Sequence, residues 1–289
     1  MKLSYFKYLL SLLMFGCNGV IASYIALSSY EIVFLRTFIG SIFLLFLFLI
    51  FGNKFSFLKH KKDLFFIALS GIAMGASWMF LYEGFDTLGV GLSSLMYYSG
   101  PVIVMILSPF IFKEKLTYNK IAGFIVVVVG LLLINGEVTY LGGSSWGIFC
   151  GMMSAFTYFL LVTFNKMSKN IKGIENTVIQ LIFSCLTVTL FLLFKQGLYI
   201  DFTGVNWFAV FLIGVVTTGV GCYLYFSSLS GLPVQSVAVL SYTELLSSVI
   251  FASIFLGERM TALQIVGAVL IVGGAMIGEL IGITKAEKK

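Results

Sequence analysis

Residues 114–130 read EKLTYNKIAGFIVVVVG, and residues 258–274 read ERMTALQIVGAVLIVGG. Glu114-Lys115-Leu116-Thr117 falls on Glu258-Arg259-Met260-Thr261, Gly123 on Gly267 and Gly130 on Gly274, all at a shift of 144 residues. That shift is half of a chain of 289 residues. Each copy sets a short charged break in front of a long apolar run punctuated by glycine. Upstream, the same shift lays Gly75 on Gly219 and Tyr98 on Tyr242. The chain is therefore a duplicated unit built from apolar runs.

Composition says what surrounds those runs. Hydrophobic residues make up 60% and charged residues 10%, with a mean hydropathy of +1.06. A soluble domain is roughly 45–50% apolar and about 25% charged. So few charges cannot cover a soluble fold of this size, which excludes a soluble enzyme, a nucleic-acid-binding protein and a disordered chain. The runs are continuous rather than alternating, which excludes a membrane β-barrel. An all-α polytopic membrane protein remains, with the lipid bilayer as its main partner.

A membrane-crossing helix needs about 20 mostly apolar residues. Ten segments qualify: 6–27, 31–51, 64–84, 92–112, 118–135, 145–164, 176–194, 206–228, 234–256 and 262–281. The breaks between them hold charge, Gly, Pro or Asn, as at Gly52-Asn53-Lys54, Gly142-Gly143 and Gly231-Leu232-Pro233. With the N-terminus in the cytoplasm, 15 of the 18 Lys and Arg residues fall in cytoplasmic segments. Only Lys195 and Arg259 face outward, and Arg36 lies within a span. Missing one span would reverse every later loop. The positive-inside rule thus predicts ten transmembrane helices with cytoplasmic N and C termini. The net charge of +6 is a topology signal rather than a nucleic-acid patch.

The first segment reads as a span and not as a cleaved signal, because Phe15 is too bulky for the lipoprotein-like box at Met14–Cys17 and no small-residue cleavage site follows. Cys17, Cys150, Cys185 and Cys222 all fall inside spans without pairing motifs and read as small hydrophobes. His60 lies in a lysine-rich loop and reads as solvated.

Five spans per half is an odd number, so the second half enters the membrane from the opposite side. Residues 1–136 form the first five-helix repeat, 144–281 the second, and 282–289 a basic cytoplasmic tail. Two inverted halves can exchange conformations, turning an outward-open cavity into an inward-open one. That symmetry suits alternating-access transport.

The doubled E-[KR]-x-T-x5-G-x6-G element resembles the EamA family of the drug/metabolite transporter superfamily. So do Tyr242-Thr243-Glu244-Leu245, Phe15-Gly16-Cys17-Asn18-Gly19 and Phe34-Leu35-Arg36-Thr37. The resemblance covers essentially the whole chain. It implies a secondary transporter with a central cavity between the halves, and export of amino acids or related small metabolites across the cytoplasmic membrane. The chain departs from its own symmetry at one point: Gly100-Pro101 stands where the second half has Glu244-Leu245. Only one half places an acid there.

Glu244 is the first candidate. It sits in mid-span, roughly 15 Å from each surface at about 1.5 Å per residue. An acid at such depth costs about 2.5–3.5 kcal/mol to insert and marks function by default. It either binds a proton or a cationic substrate group, or pins helix packing. Arg36 and Glu83 lie at similar depths in helices 2 and 3, which allows an ion pair between them, either an outer gate or a structural tie; alternatively, Arg36 takes a substrate carboxylate. The repeat mate of Arg36 is Gln180.

Trp78 and Tyr82 share a helix face at a spacing of four. With Tyr97, Tyr98 and Tyr242 they are candidates for lining the cavity, or else are interfacial anchors. Asn18 and Tyr158 occupy similar places in the two halves, as ligands or as interhelical glue. Pro101 interrupts helix 4 and is the candidate hinge. Pairs such as Gly71-x3-Gly75 and Gly274-x3-Gly278 bring helices close, the latter also offering a homodimer contact. No Walker lysine, H-E-x-x-H or G-x-S-x-G motif appears, and no cofactor or metal is implied.

The expected function is secondary active transport of a small-molecule substrate, with protons as the coupling ion. The rivals are an importer or exchanger of a quaternary-amine-type cation, resting on Glu244 and the tyrosines, and an integral membrane enzyme acting on lipid-linked substrates. The enzyme reading lacks a nucleophile–base pair in the longest cytoplasmic loop, 52–63.

Overall fold

A computed structural model of the chain describes residues 2–88, 90–114, 117–134, 145–197, 199–257 and 261–286. The residues Glu258, Arg259 and Met260 of the second repeated element lie outside the described residues, as do Lys115, Leu116, Gly142, Gly143 and positions 287–289 of the tail.

Among the described residues every regular element is a helix. In chain order they are α1 (Lys2–Gly16), α2 (Asn18–Ala22), α3 (Ser29–Ile50), α4 (Lys61–Leu88), α5 (Val90–Tyr97), α6 (Gly100–Phe112), α7 (Tyr118–Ile134), α8 (Ser145–Met167), α9 (Gly173–Lys195), α10 (Trp207–Phe211), a π segment (Leu212–Val220), α11 (Gly221–Leu229), α12 (Val234–Leu240), α13 (Tyr242–Phe255) and α14 (Ala262–Ala286). Among the described residues, seven helical stretches are long and apolar enough to cross a membrane: Lys2–Ala22, Ser29–Ile50, Lys61–Thr87, Ser145–Met167, Gly173–Lys195, Trp207–Leu229 and Val234–Phe255. Gly100–Phe112, Tyr118–Leu133 and Ile265–Gly274 are shorter apolar helices.

Local chemistry accounts for several of these boundaries. α3 opens on a reciprocal capping box: Ser28 accepts from the Glu31 backbone N–H, and Glu31 accepts from the Ser28 backbone N–H at 2.8 Å. α10 opens on Asn206, whose side chain accepts from the Ala209 N–H at 3.2 Å. The predicted fourth span is broken into α5 and α6. Pro101 has no N–H to offer the Tyr97 carbonyl, and the break falls at Tyr98-Ser99. The ninth span is broken at Ser241, between α12 and α13. The two discontinuous helices come at corresponding places in the two halves.

Side-chain contacts sort the helix ends into two groups. At one end, Asp63 accepts from the Lys169 and Asn170 backbone N–H groups, Glu175 from those of Ser56 and Phe57, and Glu114 from that of Val234 at 2.9 Å. Tyr5 donates to Ser236 there as well. This is the lysine-rich end. At the other end Lys195 meets Glu83, and Gln196 donates to Glu31.

Packing between the halves is reciprocal at a shift of 144. A Cβ built on Gly130 would lie 2.6 Å from the Gly267 carbonyl oxygen, and one on Gly274 would lie 2.6 Å from that of Gly123. These are one contact made twice with the halves exchanged. Glycine is required at both points because α7 and α14 meet backbone to backbone. Gly71 and Gly75 do the same for α4 against Gln180 and Ser184 of α9. At the corresponding contact with the halves exchanged, Gly40, the mate of Ser184, packs on Gly214 in the π segment.

Candidate functional site

A cavity of about 200 Å³ opens between the halves. Helix α4 contributes a single face, Met74, Trp78, Leu81, Tyr82 and Phe85, running from mid-helix toward the lysine-poor end. Asn18 and Gly19 come from α2, Arg36 from α3, and Tyr97 and Tyr98 from the α5–α6 break. The second half supplies Tyr158 from α8, Cys222, Tyr225 and Phe226 from α11, and Glu244 and Ser248 from α13.

Charge is concentrated on two of these side chains. Arg36 is 5% exposed, and its Cζ lies 4.3 Å from the centroid of the Trp78 ring. Its Nε is buried without a hydrogen-bond partner. A guanidinium stacked on an indole gains cation–π attraction while keeping its donors free. Glu244 lies in the first turn of α13, where a carboxylate is favoured by the positive end of the helix dipole. It is partly exposed to the cavity, and its carboxylate has no hydrogen-bond partner among the described residues. The two opposite charges line one cavity and form no ion pair with each other.

Aromatic rings close the cavity toward the lysine-rich end. Tyr97 packs edge-on against Tyr98 and Tyr158, at 5.2 and 5.6 Å between centroids. Tyr8 lies 5.3 Å from Tyr225 and donates to the Val237 carbonyl at 3.0 Å. Phe226 stands perpendicular to Tyr225 at 5.1 Å.

Eight of the residues singled out from the sequence thus share this cavity: Asn18, Arg36, Trp78, Tyr82, Tyr97, Tyr98, Tyr158 and Glu244. Three others lie elsewhere. Tyr242 is fully buried behind the lining, where its hydroxyl donates to the Tyr98 carbonyl at 2.9 Å. It ties the two broken helices together. Pro101 is buried at the start of α6 and begins a half-helix instead of bending the middle of a whole one. The expected Arg36–Glu83 pair is corrected. Glu83 takes Lys195 on both carboxylate oxygens, at 2.8 and 2.7 Å, and accepts from Trp146 Nε1 at 3.1 Å and Tyr30 at 2.9 Å. Four helices, α3, α4, α8 and α9, converge on that carboxylate. Lys195 lies far away in sequence, and no local spacing links it to Glu83.

The lining also includes Ser94 and Ser248, which sequence reading missed. Each lies four residues from a residue that was singled out, Tyr98 and Glu244 respectively. The shared helix face was the available signal.

Comparison with known proteins agrees with this architecture. The profile described as "EamA-like transporter family" matches residues 2–136 and 145–278. The chain is 27% identical over 275 residues to "Uncharacterized transporter YxxF" of Bacillus subtilis (strain 168), covering 93% of this chain and 86% of that protein. It is 27% identical over 200 residues to a Salmonella typhimurium protein described as "Probable amino-acid metabolite efflux pump", covering 65% and 66%. A solved structure titled "Crystal structure of protein" superposes with a TM-score of 0.78 at 17% identity over 97% of both chains, a likeness of fold.

Proposed function

This chain belongs to the EamA-like transporter family, and on that premise we propose that it is an alternating-access secondary transporter that exports amino acids or related zwitterionic metabolites. Ten spans form two inverted five-helix repeats, residues 1–136 and 144–281. The lysine-rich end is cytoplasmic, and the protein resides in the cytoplasmic membrane. The basic residues of the loops support that orientation. The contacts that recur when the halves are exchanged support the inversion.

One observation carries the choice of cargo. Arg36 and Glu244 line the same cavity with no ion-pair contact between them. A zwitterion supplies both missing partners, its carboxylate to Arg36 and its ammonium to Glu244. The surrounding rings favour a large apolar or aromatic side chain. A quaternary amine would satisfy Glu244 and the tyrosines but would meet the Arg36 cation, so the organic-cation reading is the weaker one. Glu244 also serves as the site of the coupling proton when the cavity is empty of cargo.

A ligand thermal-shift screen of the purified protein tests this reading. It covers amino acids, quaternary amines, nucleosides and vitamins at two pH values. A ligand that binds only the folded state raises the melting temperature by mass action. Stabilisation by amino acids, weakened in Glu244→Gln and lost in Arg36→Gln, is the expected result. Stabilisation by quaternary amines alone overturns the zwitterion reading.

A further inference from the structure

A second pocket, of about 330 Å³, lies at the lysine-rich end between α8, α9 and α11. Its walls include Asn165, Lys166, Lys169, Lys172 and Asn176. The nearby acids are committed elsewhere. Asp63 is held by the Lys169 and Asn170 backbone and the Asn170 amide. Glu175 is held by Ser56 and Phe57, and Glu114 by the Val234 and Gln235 backbone. Lys166 donates to the Leu232 carbonyl, while Lys169 and Lys172 have no carboxylate within ion-pair distance among the described residues. The pocket is polar and lined by three lysines, of which Lys166 also feels the charge of Glu114.

Two features join this pocket to the central cavity. The first is Phe226, which lines both. The second is a polar column. Asn165 and Gln180 both donate their amides to Asn176 Oδ1, at 3.1 and 3.2 Å. The column leads inward to Gln180, which is fully buried with Oε1 unpartnered. Gln180 stands 144 residues after Arg36, and Phe226 stands 144 after Tyr82. Arg36 and Tyr82 line the open cavity. The same pattern holds for Thr163 and Thr218, whose hydroxyl oxygens are buried without partners. Their mates are Gly19 and Met74, again in the open lining. Three of the polar groups orphaned in this state, on Thr163, Gln180 and Thr218, therefore occupy positions whose mates line the cavity in the other half.

We propose that the lysine pocket is the cytoplasmic station of the transport path, a site for the carboxylate of an anionic or zwitterionic solute, and that Phe226 is the partition that closes it off from the cavity in this state. In the opposite state, Thr163, Gln180 and Thr218 line the route that the ring now blocks. The proposal rests on the alternating-access reading. Three lysines in the lining of one small pocket raise the local concentration of anions at the mouth. The uncharged Gln180 then passes the solute on without trapping it, whereas Arg36 in the other half holds it.

The test uses the full chain with its four cysteines replaced by serine and a reporter, Ser248→Cys, in the central cavity. Two impermeant thiol reagents are the probes: the anionic sulfonatoethyl and the cationic trimethylammonioethyl methanethiosulfonates. They are applied to inside-out vesicles, whose outer surface is cytoplasmic, and to right-side-out vesicles. In the latter, labelling of the reporter checks that the cavity opens outward at all, so failure of the transport reading is seen separately. Phe226→Ala is expected to speed labelling from the cytoplasmic side by about tenfold, with the anionic reagent ahead. Phe226→Leu is the milder variant should alanine unfold the protein. Lys169→Gln with Lys172→Gln should abolish the preference for the anionic reagent. An unchanged cytoplasmic rate in both Phe226 variants overturns the partition. Equal rates for the two reagents overturn the anion station. Anionic lipid headgroups are the other source of the same chemistry. If phosphatidylglycerol in the vesicles erases the anionic preference seen in neutral phosphatidylcholine, the pocket belongs to lipid and the solute station is overturned.

Discussion

Arg36 rests on Trp78, with 4.3 Å from the guanidinium carbon to the ring centroid, and is held there by a ring instead of a counter-ion. A charge at this depth normally pairs with an acid. Here the ring and the open cavity take that place, and the donors stay available. Replacing Arg36 with lysine keeps the charge but loses the planar stack and the bidentate fork. Arg36→Lys should therefore raise the KM for cargo by about tenfold, equivalent to roughly 1.4 kcal/mol, with the melting temperature little changed. Concentration-dependent uptake in proteoliposomes reads the first, and a thermal melt reads the second.

Glu244 should behave differently. It lines the cavity, and its carboxylate has no hydrogen-bond partner among the described residues. Glu244→Gln keeps the shape and removes both the charge and the exchangeable proton. Transport driven by a pH gradient should vanish in this variant, while counterflow of cargo at equal pH on both sides persists at a reduced rate. Gradient-driven transport at the unsubstituted level would remove Glu244 from coupling.

The Glu83–Lys195 tie lends itself to a double-mutant cycle. Glu83→Gln removes the ion pair with the half-exposed Lys195 and weakens the acceptor of Tyr30 and Trp146, and should cost about 1 kcal/mol. Lys195→Met alone strands the carboxylate. The double variant should be less destabilised than the sum of the two, because neither charge is then left unpaired. Strict additivity in denaturation midpoints would mean that the pair contributes no coupling.

The α7–α14 seam tolerates no side chain at its crossing points. Gly130→Val and Gly274→Val should each destabilise the protein by about 1–3 kcal/mol, since the new Cβ would meet a carbonyl oxygen of the opposite helix. The two effects should be similar in size, because the contacts are related by exchange of the halves. Gly273→Val, where a Cβ meets nothing within 4 Å, is the control and should leave the melting temperature nearly unchanged.

Much of the site was legible in the sequence because rarity is informative in a membrane. Glu244, Arg36 and Asn18 are polar residues in apolar runs, and each of them lines the cavity. Trp78 and Tyr82 were legible as a helix face. Tyr242 misled by symmetry. Its mate Tyr98 lines the cavity, yet Tyr242 itself turns its hydroxyl to the Tyr98 carbonyl. A repeat relates positions, while the conformation of the moment decides which copy is exposed. Glu83 misled by depth: Arg36 lies at a matching level, but Lys195 arrives from another helix.

Composition, periodic breaks and the shift of 144 determined by themselves that this is a helical membrane protein made of two related halves. Those properties depend on local apolar content and on order along the chain, which the one-dimensional string contains in full. Only the tertiary structure decided which charges meet and which stay apart. Arg36, Glu244, Glu83 and Lys195 are distributed over four helices. Their pairing depends on how those helices rotate about their axes and cross, and that is settled by close-packed glycines and interlocking rings many residues away. The same packing placed Phe226 in the lining of two cavities, a relation that no spacing in the sequence records.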